Sequence, residues 1–187
     1  ELLFDLEEDP REERNLAKLN PAWEFCSDPI VYVFDCEKYG RVGVSICYDL
    51  MDLERALMYR GRIQHLFVLA YNRDLGMFRS LADSLSRTVF CNVVVCNTGY
   101  YGGSVAVSPY YEAHRRTLYE HGGAGLFATQ VVRLPVRGLA QALDVSVKTT
   151  GKCERVQEFK NPPPGIPMPR ATQTGKSGRT TVGCPLR

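Results

Sequence analysis

Apolar positions along the chain fall into short blocks whose period switches between two and about four. Residues 30–34 and 41–47 read as extended: in the second block Val42, Val44 and Ile46 point one way and Gly43 and Ser45 the other. Lys38-Tyr39-Gly40 predicts the turn between them. The period then changes, because Leu50, Leu53 and Leu57 recur at helical spacing, with Asp52, Glu54 and Arg55 off that stripe and an end near Gly61. Residues 66–70 predict a fully buried strand. Leu75, Phe78, Leu81, Leu85 and Val89 mark a second helical stripe, and residues 92–96 the next buried strand. Strand, helix, strand, helix, strand with unbroken apolar strands points to an α/β layered fold. Beyond this the helical signal stops. Gly102-Gly103 leads into residues 104–107 and Gly122-Gly123 precedes 126–134, so the sheet is expected to finish in hairpin-like strands.

Composition adds bounds. The 187 residues are 44% hydrophobic and 24% charged, the range of a globular domain, which excludes a wholly disordered or collagen-like chain. No apolar run approaches the roughly 20 residues of a membrane helix, and nothing at the start reads as a secretory signal. Residues 1–14 hold seven acids against two arginines and read as an acidic linker. From Asn161 onward six prolines and four glycines fall within 27 residues, so 151–187 is expected to be a disordered basic tail. The net charge of +2 arises there, from Arg170, Lys176, Arg179 and Arg187, which is poor ground for nucleic-acid binding. Seven irregularly spaced cysteines do not form a disulfide framework, so a cytoplasmic chain with free thiols is expected.

Each cysteine is then either a small core residue or a nucleophile. Cys47 stands out in Gly43-Val44-Ser45-Ile46-Cys47-Tyr48-Asp49, where a buried strand ends and a helical turn begins. A side chain there is presented at a sheet edge with the following backbone N–H, that of Tyr48, directed toward it, the arrangement a nucleophile and its oxyanion require. Other candidates carry less. His65 opens a strand and reads as structural, and His114 and His121 lie in a polar connection. Cys91 and Cys96 bracket one strand and so point to opposite faces, which argues against a shared metal. Trp23, Asn72 and Tyr100 are candidate pocket walls, alongside the covering role that Tyr101, Tyr110 and Tyr111 would have next to glycines.

With Lys18-Leu19-Asn20-Pro21 upstream, Glu24 after it, and Asn97-Thr98-Gly99 and Gly102-Gly103-Ser104 downstream, the chain over 18–143 resembles the nitrilase, or carbon–nitrogen hydrolase, superfamily. The resemblance implies a four-layer αββα sandwich and a Glu-Lys-Cys triad acting on nonpeptide C–N bonds through a thioacyl enzyme. It makes Cys47 the nucleophile, Lys18 the catalytic lysine 29 residues earlier, and Glu24 the second, substrate-orienting glutamate. Asn97, Gly99 and the Gly-Gly-Ser run match later structural landmarks. The family's first glutamate, the general base, lies well before the lysine, and nothing around Glu7, Glu8, Glu12 or Glu13 resembles its motif. The partial domain over 15–150 is therefore expected to be the later part of an α/β sandwich that is incomplete at its N-terminus.

The mechanism so implied uses neither metal nor organic cofactor, and its partner is a small amide or nitrile. An incomplete sandwich also has reason to associate, with itself or with a fused domain. A competing reading is a nitrilase-like regulatory or partner-binding module, since residues 101–123 also resemble domains fused behind other catalytic domains, including bacterial defence reverse transcriptases.

Overall fold

The computed structural model describes residues 31–126, 128–143 and 158–166. They form a mixed α/β unit around one six-stranded sheet whose strands lie side by side in chain order. The strands are β1 (Val33–Asp35), β2 (Arg41–Ile46), β3 (His65–Ala70), β4 (Asn92–Asn97), β5 (Val105–Val107) and β6 (Thr117–Glu120). β1 and β2 form an antiparallel hairpin through a 3₁₀ turn at Glu37–Tyr39, closed by Gly40 at φ 89°. β2, β3 and β4 are parallel, joined by helices α1 (Leu53–Tyr59) and α2 (Leu75–Leu85). β5 and β6 then add antiparallel strands.

Two crossovers advancing in the same direction put both helices on one face of the sheet. Period-two alternation decides what they cover: Gly43, Leu66, Val93 and Val107 form one cross-strand row and Ser45, Val68, Val95 and Val105 the next. The valines and leucine of these rows are at most 1% exposed, and Ala56, Tyr59, Phe78, Ala82 and Leu85 pack down on them. Gly43 is required by that packing. A Cβ there would lie 2.6 Å from the Tyr59 ring, whose hydroxyl donates to the Val44 carbonyl at 2.9 Å.

Helix ends follow local chemistry. Asp52 and Asp74 cap α1 and α2 by accepting from the N–H groups of Arg55 and Met77. α2 runs on into a π turn, Ser86–Phe90, ending with Phe90 in the left-handed region at φ 64°. That turn delivers Phe90 away from the main core and into a second cluster with Tyr110, Leu139, Leu143 and Phe159.

This second cluster corrects three expectations. Residues 126–134 form no strand among those described, so the sheet ends at β6. The helical signal does not stop after Val89: a four-residue turn α3 (Ala113–Arg116) and a helix α4 (Arg137–Leu143) follow, the latter burying Leu139 and Leu143 four residues apart. Gly138 within α4 admits the Phe159 ring, which a Cβ would meet at 2.8 Å. The basic tail is not wholly disordered either, since 158–166 is packed in place. Phe159 pairs with Tyr110 in an antiparallel bridge and stacks on its ring at 4.6 Å, and Glu158 accepts from Arg115 at 2.7 Å. The reason is local: one aromatic with a bonded backbone offsets the proline content. Residues 1–14, like the rest of the tail, lie outside the described set.

The strands were expected to be buried on both faces, but the second face is open toward their C-terminal ends. Ile46 is 62%, Leu69 52% and Val44 36% exposed. At the N-terminal ends this face is occupied by a polar tie. His65 Nε2 lies 3.0 Å from the Tyr39 carbonyl, and Asn92 Nδ2 reaches His65 Nδ1 at 3.2 Å and the Pro135 carbonyl at 3.0 Å. His65 thus has the structural role expected of it, with Nε2–H donating and Nδ1 accepting. Among the described residues no helix is long and apolar enough to cross a membrane.

Two predictions follow from this packing. Phe159→Ala removes a fully packed ring and is expected to cost about 3 kcal/mol, read as a lower urea midpoint with an unchanged slope. Burial, only partly offset by the Tyr39 hydrogen bond, lowers the His65 pKa below its ordinary 6.5. The unfolded chain therefore takes up this proton first as pH falls. The His65 contribution is complete above 6.5 and is lost as pH drops toward the lower folded value. Melting temperature should fall over that window, and the fall should be shallower in His65→Gln.

Candidate active site at the C-terminal edge of the parallel strands

Where parallel strands end together, their following loops converge, and ligand sites of open α/β sheets form there. β2 ends at Ile46, and Cys47 opens a 3₁₀ turn, Cys47–Met51. Cys47 has φ 44°, a left-handed conformation that non-glycine residues rarely adopt and that is concentrated at functional sites. The kink turns the chain away from the strand while Leu50, buried at 2% exposure, anchors the turn in the core. The half-buried Cys47 thiol donates to the Tyr71 carbonyl at 3.7 Å, on the loop that follows β3. Tyr48 directs its ring to solvent, at 75% exposure.

The loops after β3 and β4 are tied together by amides. Asn72 N–H donates to Asn97 Oδ1 at 2.9 Å, while Asn97 Nδ2 donates to the carbonyls of Asn72 at 2.8 Å and Gly102 at 2.7 Å. Asn72 Oδ1 accepts from Asp74 N–H, which starts the turn into α2. Beside them stands an aromatic wall. Tyr101 meets Tyr71 edge-on at 5.1 Å and Tyr100 at 4.9 Å, its hydroxyl lies 3.3 Å from that of Tyr71, and Arg73 Nε donates to it at 2.8 Å.

Two glycines shape the second loop. Gly102, at φ 73°, donates its N–H to the Thr98 carbonyl, and a Cβ there would lie 2.2 Å from the Gly123 carbonyl oxygen. Gly103, at φ 75°, donates to the His121 carbonyl and lies under Leu75, where a Cβ would come within 2.6 Å.

Of the residues marked in the sequence, the fold brings Cys47, Tyr48 and Asn72 to one edge, with Tyr100 joined to them through Tyr101 and Tyr71. Lys18, Trp23 and Glu24 lie outside the described residues. Sequence reasoning passed over Tyr71 and Arg73; the Asn72-Arg73-Asp74 run directly after a buried strand is the turn chemistry that points to them. Cys36, Cys47, Cys91 and Cys96 are unpaired thiols. Cys91 is buried beneath the helices and Cys96 is on the open face, as expected of residues an odd number apart. Burial pushes the Cys91 thiol up strongly, which makes it a poor nucleophile at neutral pH, and partial desolvation against the sheet raises Cys96 as well. Among the described residues no three His, Cys, Asp or Glu side chains cluster as a metal site.

No protein-family profile matches the sequence. No curated protein matches it either. Among solved structures the chain is similar to Saccharomyces cerevisiae Nit3, a member of branch 10 of the nitrilase superfamily, at 23% identity and a TM-score of 0.44. The match covers 55% of this chain and 40% of that protein, so the chain spans less than half its length.

The glycine geometry gives a prediction for the edge. Gly102→Ala places a methyl against a backbone carbonyl at a positive φ and is expected to loosen both loops. Faster amide hydrogen exchange at 98–103 and 121–125, with β2–β3 protection retained, is the measurement that checks it.

Proposed function

We propose that this chain carries the nucleophile-bearing part of a cysteine-dependent hydrolase for nonpeptide C–N bonds, of the nitrilase superfamily, acting on a small amide or nitrile. The observation that carries the reading is Cys47 itself: a left-handed cysteine at the C-terminal end of a parallel strand, its thiol on the Tyr71 carbonyl of the next loop and its turn opening beyond it. The motif resemblance around it and around Lys18 supports the same reading.

In this mechanism the Cys47 sulfur, its proton removed, attacks the amide carbon. The C=O electron pair moves onto oxygen, and Lys18 and the Tyr48 N–H stabilise that negative charge. Collapse of the tetrahedral intermediate breaks the C–N bond, and the amine leaves with a proton. Water then attacks the thioacyl carbon, releasing the acid and restoring the thiol. Glu24 orients the substrate amide, and the family resemblance implies a glutamate as general base without matching it to a residue of this sequence. Tyr100, Trp23 and Asn72 wall the pocket. The αββα form of the fold would set a second sheet on Val44, Ile46 and Leu69.

The same open face favours a second reading, a partner-binding module of a larger assembly with little turnover alone. Phe34, Val44, Ile46 and Leu69 are exposed together on three successive rows of one sheet face without an intervening charge. The free described thiols fit a reducing, cytoplasmic setting.

Iodoacetamide labelling with peptide mapping tests the first reading. Cys47 should be modified well ahead of Cys91 and Cys96, and Cys47→Ala should abolish amide hydrolysis by the chain in its full-length context. Uniform labelling of the thiols would overturn it. Selective Cys47 labelling with no turnover of any simple amide or nitrile would favour the module.

A further inference from the structure

The peptide unit between Tyr71 and Asn72 is held at both ends. Its carbonyl oxygen accepts from Cys47 Sγ at 3.7 Å, and its N–H donates to Asn97 Oδ1 at 2.9 Å. The Asn97 carboxamide then uses Nδ2 on the next carbonyl, that of Asn72, and on Gly102 across the gap. Asn97 is fixed in turn at the end of β4. Its N–H donates to Ser104 Oγ at 3.0 Å, and that hydroxyl lies 3.2 Å from the Asn97 carbonyl oxygen.

Resting on the hydrolase reading above, we infer that Asn97 is the positioning residue of the Cys47 site. Through the 71–72 peptide it sets the carbonyl against which the thiol rests, and through Gly102 it sets the neighbouring loop. The chemistry of the side chain explains the choice. One planar group must accept from an N–H on one side and donate to two carbonyls on the other, which a carboxamide does. An aspartate in its place would face those two carbonyls with negative charge, and an alanine would leave the peptide free to rotate about its flanking bonds. A rotated 71–72 peptide removes the thiol's acceptor and turns an N–H toward sulfur. Asn97 makes no hydrogen bond to Cys47 itself, so it acts through the peptide.

The test uses the full chain with p-nitrophenyl acetate, whose acyl group transfers to a thiolate with release of p-nitrophenolate. The sulfur–carbonyl bond forms and the ester C–O bond breaks, with no hydrolytic base needed. Acetylation is located by mass spectrometry, and its rate is compared across the unsubstituted chain, Asn97→Ala, Asn97→Asp and Phe159→Ala, well below every melting temperature. Phe159→Ala lowers stability from the second cluster without touching any of the Asn97 bonds. Acetylation of Cys47 is expected to slow on the order of tenfold or more in both Asn97 variants, in line with what small misplacements of reacting groups cost. In Phe159→Ala it should hold near the unsubstituted rate even where stability falls. Equal rates in the Asn97 variants and the parent, or slowing in Phe159→Ala that tracks stability equally, would overturn the assignment. If Asn97→Ala does not fold, Asn97→Asp carries the comparison. Failure of Cys47 to acetylate in the unsubstituted chain would instead sink the hydrolase reading, and this inference with it.

Discussion

Three parallel strands in a row impose one constraint from which most of this structure follows. Each strand after the first must be reached by a crossover, both crossovers lie on the same face, and all three strands stop at the same edge. The covered face becomes the core, with Tyr59 lying flat on Gly43 and the valines of β3 to β5 sealed beneath α1 and α2. The shared edge becomes the place where loops from distant parts of the sequence meet. Cys47, Tyr71 and Asn97 are far apart in the chain, yet each lies at or just beyond the end of a neighbouring strand.

That edge is built mostly from backbone. The thiol faces a carbonyl, the loops are cross-linked by a carboxamide that reads peptide groups, and the glycines at 102 and 103 bring main chain against main chain. Side chains with chemistry are few, and they hang on a frame of main-chain hydrogen bonds. Such a frame is costly to deform, because each buried peptide group that loses its partner forfeits more than the bond itself contributes.

Legibility from the sequence divides along these lines. Strands β2, β3 and β4 and the helices between them were visible because their apolar periods are long and unmixed. Cys47 was visible because it stands where one period gives way to the other. The second cluster was not. Leu139 and Leu143 are a single helical repeat in a glycine-containing segment, and Phe159 is one aromatic ahead of a run of prolines, so neither makes a pattern before the other is in place. The amide clamp was legible only as separate asparagines, since what joins Asn72 to Asn97 is the strand register, Ala70 beside Asn97, which no local pattern encodes. The open face escaped notice for a related reason: an apolar strand looks the same whether one or two layers cover it.

The π turn at Ser86–Phe90 has a further consequence, in the phase of the chain. A π turn holds one residue more than an α turn over the same rotation, so it sets which residue of β4 arrives first on which face. Here it hands Phe90 to one cluster and Cys91 to the other, and Val93 and Val95 fall on the helix-covered side. Shortening this turn by one residue would leave the composition of β4 intact and turn its alternation inside out, placing Asn92 and Val94 under the helices. The fold therefore tolerates changes of side chain in this segment more readily than changes of length.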